Sequence, residues 1–216
     1  MGGLMRGRPE LDLEIGLWQA GAELVAGLDE AGRGALAGPV VAGAVVLPAL
    51  PDRLAERLSE VLDSKRLSHH QRLRAFRQVR LTARAWSAGA ASHQEVDSIG
   101  LLPATRLAMT RALARLRAQP VYLLIDYLLL PEDERPQTSI AHGEDRSLSI
   151  AAASIVAKVT RDRWMSALGV SYPGYELARH KGYATECHRL ALQRLGPSPV
   201  HRYSCAPVAA CLAGSR

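Results

Sequence analysis

Apolar residues in this chain come in short unbroken runs set between Gly-, Pro- and charge-rich stretches, and run length and period separate strands from helices. Residues 24–28 predict a short strand ending in Asp29-Glu30, followed by the turn Ala31-Gly32-Arg33-Gly34-Ala35. Residues 39–47, rich in valine, predict a second strand closed by Pro48 and Pro51. A helix is expected over 52–62, and Ser68 is placed to cap another over 69 to about 80. A third strand falls between 82 and 91. Pro103 suits the first position of a helix reaching about 118, in which Met109, Ala112, Leu113 and Leu116 repeat at helical spacing and face the core. Residues 121–125 predict a fully apolar strand with Asp126 at its end, 128–136 a loop, and 137–141 another strand. Residues 149–168 carry the strongest helical pattern. There Ala151, Ala152, Ala153 and Ala157 permit close approach to a sheet, while Ser154, Lys158 and Arg161 make a polar stripe. A turn at 172–175 and a helix over 184–195, stopped by Gly196-Pro197, complete the pattern; residues 1–20 read as an irregular lead-in. Three early strands, then helices alternating with single strands, predict an α/β fold with a mixed sheet.

Composition narrows the classes. With 216 residues and 48% hydrophobic content the chain can bury a sizeable core without staples. No apolar run approaches the ~20 residues needed to span a bilayer. The first ten residues lack the apolar core of a signal peptide, so the cytoplasm is expected. Cys187, Cys205 and Cys211 match neither a metal knuckle nor a disulfide framework, which points to free thiols. The net charge of +6 favours a polyanionic partner, and an aromatic fraction of 5% argues against a broad base-stacking platform. Contacts with a nucleic-acid backbone would then dominate.

The chemistry is sought where charge stands against the core. Asp29 and Glu30 close one apolar strand and Asp126 closes another. A single acid at a strand end is usually a solvated boundary or a cap, but two strand ends can converge on one edge of a sheet. Crowded carboxylates raise one another's pKa. A divalent cation relieves that repulsion, and oxygen ligands suit Mg²⁺ or Mn²⁺. Zinc-spaced His or Cys pairs, a GxSxG elbow and a Walker A loop are all absent. Carboxylate-bound metal is thus the most economical source of catalysis, and paired ions about 4 Å apart are a recurrent device for phosphodiester cleavage. Gly32-Arg33-Gly34 follows the acidic pair after one alanine; its glycines allow backbone amides to approach a ligand.

The blocks taken together resemble one family. Gly27-Leu28-Asp29-Glu30-Ala31-Gly32-Arg33-Gly34, continued by Gly38-Pro39-Val40-Val41, is similar to the hallmark of ribonuclease HII. Asp63-Ser64-Lys65 resembles the family's DSK segment, and the stretch from Ile150 to Asp162 its long helix. Tyr172-Pro173-Gly174-Tyr175, His180-Lys181-Gly182-Tyr183 and Gly196-Pro197-Ser198-Pro199-Val200-His201-Arg202 resemble its C-terminal elements, all in the family's order from about residue 21 to 203.

The resemblance implies an RNase H-like fold: a central mixed five-stranded sheet flanked by helices, with a helical C-terminal extension. It divides the chain into a lead-in at 1–20, a catalytic domain at 21–170 and a C-terminal helical region at 171–216 that contributes to substrate binding. It implies an endoribonuclease that hydrolyses the RNA strand of RNA–DNA hybrids and nicks 5′ to ribonucleotides embedded in duplex DNA, leaving 3′-hydroxyl and 5′-phosphate ends, in ribonucleotide excision repair. Four acids are implied. Asp29, Glu30 and Asp126 carry over as metal ligands for Mg²⁺ or Mn²⁺, two ions per site, with the Glu30 carbonyl as a further ligand. The fourth falls on Glu144, counted back from Ile150 and forward from Asp126, with Asp145 beside it as the alternative. Tyr127 stands where the family often has glycine. Gly32, Arg33, Gly34 and Tyr183 are implied to recognise the ribose 2′-hydroxyl, the group that tells RNA from DNA; Tyr183 as an ordinary half-buried tyrosine is the competing reading. Lys65, Lys158, His180 and Lys181 are candidates for phosphate contacts, against which stand solvated lysines and an ion pair of Lys158 with Asp162 at i, i+4. Ribonuclease HIII, which lacks this loop and carries an added N-terminal domain, and a non-catalytic binder of hybrid duplexes are the rivals. A monomer is expected.

Overall fold

The computed structural model describes residues 8–213. Strands β1 (Val25–Ala31), β2 (Val40–Val46) and β3 (Ala85–Ala91) are successive antiparallel neighbours, and β4 (Tyr122–Asp126) and β5 (Gln137–Ile140) continue in parallel from the other edge of β1. The order across the sheet is β3-β2-β1-β4-β5, the expected mixed five-stranded sheet. β1 runs further than the apolar run suggested, through Asp29 and Glu30 to Ala31. Its ladder to β2, with Asp29 opposite Gly43 and Glu30 opposite Ala42, holds the acidic pair in extended conformation.

Residues 1–20 are not irregular throughout: α1 (Asp12–Gln19) is a helix, and the part of the lead-in before residue 8 lies outside the described residues. Its Leu13 and Leu17 pack beneath β4 and its Ile15 under α6 (Leu148–Ser171); apolar residues at 13, 15 and 17 alternate, a spacing that does not announce a helix. The helix expected over 52–62 stops early, as α2 (Pro51–Arg57). α3 (His69–Thr82) begins where expected, because Ser68 and Gln71 form a reciprocal capping box. A second such box, Ser92 with Glu95, starts α4 (His93–Ile99), which hydrophobic periodicity did not reveal. α5 (Leu101–Ala114) begins two residues before Pro103 and ends short of 118; a proline is tolerated in a first turn, whose amides need no helical partner.

Helices cover both faces of the sheet. α5 buries Ala108, Met109, Ala112 and Leu113 against Ala26, Leu28, Leu123 and Ile125. On the other face α6 packs Ala151, Ala152, Ala153, Ile155 and Val156 among residues of α2 and α3. Here glycine sets the layer spacing. A Cβ on Gly27 would stand 2.2 Å from the Ser149 carbonyl carbon, and one on Gly43 2.2 Å from the Ala153 oxygen. Helix backbone therefore lies directly on sheet backbone. Burial of α6 is nearly all-round, and its expected polar stripe is largely inside: Ser154 is 2% exposed and Arg161 0%.

The first residues of α6 have their own support. Glu14 of α1 is fully buried, and its Oε1 accepts from the Ser149 amide (2.9 Å) and the hydroxyls of Ser147 and Ser149 (2.6 Å each). A carboxylate at a helix N-terminus satisfies unpaired amides and complements the helix dipole. After α6, helices α7 (Leu177–His180), α8 (Glu186–Leu195) and α9 (Ala206–Ala213) gather with Leu36, Ala37 and Met165 around a separate apolar cluster, which ties the C-terminal region to the loop after β1.

Candidate active site

Two parallel strands bring the acids together. Leu28 pairs with Ile125, so the next residues in register, Asp29 and Asp126, lie side by side at the ends of β1 and β4, on the face that carries α6. Glu30 points to the opposite face. The turn Gly143–Asp145, just before α6, supplies Glu144, and the Gly143 amide donates to Asp126 Oδ1 (2.8 Å). Asp29 is 3% exposed and Glu144 5%. Burial, together with the charges of Glu30 and Asp126, holds Asp29 well above the usual carboxylate range. Burial also raises Glu30, with Arg33 opposing and Asp126 adding. Asp126 is pushed up to about 6 by burial; the Gly143 amide opposes, and Glu144 reinforces the rise. Glu144 goes the other way: burial would raise it, but its own backbone amide and the Lys65 ammonium outweigh that.

The acids are thus electrostatically one cluster. Among the described residues no three His, Cys, Asp or Glu side chains form a ready-made ligand cage. Neighbouring residues of one strand project to opposite faces, and Lys65 Nζ engages Glu144 Oε1 at 3.1 Å. Two oxygens of the cluster, Glu30 Oε2 and Glu144 Oε2, are buried with no hydrogen-bond partner. Unpartnered buried carboxylate oxygens are costly, and a hard divalent cation is the ligand their chemistry suits. The oxygen-only donor set fits such an ion. Asp145 instead pairs with Arg66 at 3.7 Å.

Serines brace the cluster from α6. The Ser154 hydroxyl, 2.8 Å from Ser64 Oγ, stands close enough to Asp29 to favour its charged form, while Asp63 Oδ1 accepts from the Lys65 amide at 2.9 Å. The Asp-Ser-Lys segment therefore lies against both the long helix and the acids. Ser154 thus does more than pack helix against sheet.

The Gly-Arg-Gly loop sits on two buried guanidiniums. Arg161 donates to the carbonyls of Pro39 (2.9 Å), Lys181 (2.8 Å) and Ala37 (3.1 Å). Arg202 donates to Gly38 (3.0 Å), Arg33 (2.9 Å) and Ala35 (2.9 Å). Burial depresses both, Arg202 to about 10. Gly32 has φ +95°, and a Cβ there would fall 1.9 Å from Arg161 Nε, so the fold itself demands this glycine. Gly34 differs: its backbone is ordinary and a Cβ would meet nothing within 4 Å. Arg33 pairs with Glu30 at 3.3 Å. Tyr183 bridges to Ala35, and the Leu36 amide donates to the Gly182 carbonyl (2.8 Å), joining the loop to the His-Lys-Gly-Tyr turn. The Tyr183 ring is half-buried, with Lys158 Nζ and Arg161 Cζ each 5.2 Å from its centroid.

Of the phosphate candidates, Lys158 makes the i, i+4 pair with Asp162 at 2.7 Å. His180 is buried, with Nε2 on the Tyr175 carbonyl (2.6 Å) and Nδ1 accepting from the Gly182 amide (3.2 Å). Lys181 is held by Ser166 Oγ and the Ala178 carbonyl, 2.6 Å each. These three are occupied within the fold. A cleft of about 550 Å³ beside Tyr183 is lined by Lys158, Asp162, Lys181 and, from α3, His69 and Arg72.

Comparison with known proteins gives the family and the fold. The family model for ribonuclease HII matches residues 26–208. A ribonuclease HII of Dehalococcoides mccartyi is 48% identical over 198 residues, 92% of each chain. One from Chloroflexus aggregans is 50% identical over 93% of this chain and 94% of its own. Among solved structures, the ribonuclease H2 of Pyrococcus horikoshii OT3 superposes with a TM-score of 0.71 at 26% identity, covering 88% of this chain and 98% of that one. Bst-RNase HIII in complex with Mn²⁺, 20% identical with a TM-score of 0.66 over 90% of this chain and 71% of that one, shares the fold. The chain belongs to the ribonuclease HII family, and is thereby a ribonuclease H, a hydrolase that cuts RNA paired with DNA.

Proposed function

We propose that the chain nicks nucleic-acid duplexes on the 5′ side of ribonucleotides, single or in tracts, leaving 3′-hydroxyl and 5′-phosphate ends. Asp29, Glu30 and Asp126 would hold Mg²⁺ or Mn²⁺, two ions per site, with Glu144 as the fourth acid. Bound divalent ions supply an activated water and stabilise the leaving oxygen. The observation that carries this reading is a buried, mutually repelling carboxylate cluster with two unpartnered oxygens, next to a glycine loop. The coupling of Asp126 to Glu144, and the Arg66 partner of Asp145, favour Glu144 over its neighbour.

The chain's own groups act by holding and excluding. Ser154 and the Glu30 amide keep Asp29 oriented, the latter at 2.6 Å, and the Gly143 amide does the same for Asp126. Lys65 restrains Glu144 and places a positive charge at the edge of the site. Gly32, Arg33, Gly34 and Tyr183 would read the ribose 2′-hydroxyl. Gly34 supports this, since neither backbone strain nor a neighbour explains its missing side chain, whereas close approach of a sugar does. Base identity should matter little where contacts run to sugar and phosphate.

In this reading residues 21–170 carry catalysis and 171–216 contribute to substrate binding through Tyr183. The enzyme works as a cytoplasmic monomer; Cys187 and Cys205, thiols outside any disulfide, suit a reducing compartment. A duplex with one embedded ribonucleotide tests the proposal. Nicking with Mg²⁺ is expected, lost in EDTA and lost in Asp126→Asn. Full activity of that variant would refute the role given to Asp126.

A further inference from the structure

Far from the acids, Arg80, Arg84, Arg115 and Arg117 surround a hollow of about 420 Å³ whose wall is completed by Trp86. All four arginines are exposed, and among the described residues none pairs with a carboxylate. Trp86, on edge strand β3, is 36% exposed, with the Arg80 guanidinium 5.7 Å from its ring centre. The hollow lies at the opposite end of the sheet from the acidic cluster. Ala85 pairs with Val46, and Val46 with Ala26, three positions before Asp29 and two strands away.

A simple account would be neutralisation of helix dipoles, because α3 ends at Thr82 and α5 at Ala114, both beside the hollow. Each helix C-terminus carries about half a negative charge, so two offset about one of the four positive charges. Arg115 also donates to the Ala88 carbonyl at 3.0 Å, which holds the side chain without neutralising it. An excess of about three charges remains, held close together at a hollow.

We propose that this hollow is a second nucleic-acid contact, binding the phosphodiester backbone of DNA away from the cleavage point. Guanidinium forks match phosphate oxygens in pairs, and four of them around one hollow suit successive phosphates of a backbone, with Trp86, packed on Phe76 at 5.4 Å, holding the Arg80 guanidinium in place. An acidic peptide would also satisfy the charge, but the nucleic-acid substrate of the family favours a phosphodiester backbone, and the poly-glutamate arm of the test separates the two. The contact tethers the enzyme to DNA and raises the local concentration of cleavable sites. It rests on nucleic acid being the substrate class, not on the assignment of any acidic residue.

The test uses a fluorescent 30-base-pair duplex without ribonucleotides, in EDTA, so that no cutting occurs. Arg84→Glu combined with Arg117→Glu should weaken binding roughly tenfold at low salt and make the salt dependence shallower by about two. Turnover of a short hybrid substrate should stay at the wild-type level. Arg84→Gln with Arg117→Gln should give a smaller loss in the same direction, and serves if charge reversal disturbs folding. Unchanged affinity and salt slope would overturn the proposal. So would loss of poly-glutamate binding with DNA binding retained. Neither result touches the cleavage assignment, which is read from a different substrate.

Discussion

Replacing Asp126 by Asn should stabilise the metal-free protein while abolishing its activity. Asparagine keeps the shape and the oxygen that accepts from the Gly143 amide, but carries no charge. The folded state moves the Asp126 carboxyl from 3.8 to about 6, roughly two units, and a unit is worth about 1.4 kcal/mol. The full conversion is about 3 kcal/mol; solvent screening at a half-buried group reduces it to about 2 kcal/mol. Because the carboxyl is raised, the folded state holds its proton longer than the unfolded chain. The penalty is absent below about pH 4, grows as the pH rises to about 6 and is complete above it. In EDTA at pH 7, Asp126→Asn should therefore melt roughly 4–8 °C above wild type, with the gap closing towards pH 4. Mg²⁺ should raise the wild-type melting temperature and have much less effect on the variant. Thermal denaturation followed by circular dichroism across that pH range decides it. A variant that melts at or below wild type in EDTA at pH 7, or a gap that ignores pH, would refute the idea that this carboxylate is held against electrostatic strain.

Three further outcomes are expected. Gly43→Ala places a methyl 2.2 Å from the Ala153 oxygen, so helix and sheet must part; a loss of about 3 kcal/mol in urea denaturation is expected, and a neutral result would show that α6 can shift freely. Arg202→Met removes the donors to Arg33, Ala35 and Gly38, and should raise KM for a single-ribonucleotide duplex more than it lowers kcat, as steady-state kinetics will show. Tyr127, at φ +59°, sits in the left-handed region, so Tyr127→Gly should leave the melting temperature unchanged or raise it, by less than about 1 kcal/mol equivalent.

How much was legible follows from the range of the forces involved. The five strands and the long helix were readable because their patterns are local: valine-rich 39–47, apolar 121–125 and the alanine run after Ile150. The Asp29–Asp126 register followed once both strands were parallel neighbours. Glu14 in the lead-in was not legible, because its partners Ser147 and Ser149 lie more than a hundred residues away. Nor were the roles of Arg161 and Arg202, which depend on carbonyls of a loop distant in sequence; their neighbours are largely polar, so nothing local marks either side chain as buried. The start of α4 is written in the sequence as a capping box of Ser92 with Glu95, a signal that hydrophobic periodicity does not carry. Tyr127 shows the reverse: its departure from a frequent glycine was visible in the sequence, and the structure places it at positive φ.

The Arg202 guanidinium holds the carbonyls of Arg33 and Ala35, 169 and 167 residues upstream. During synthesis the acids are complete once residue 144 has been made, yet the loop beside them takes its shape only when a far later segment has folded back. A growing chain therefore has its acidic residues well before it has the segment that fixes the loop next to them. The form of that loop waits on residue 202.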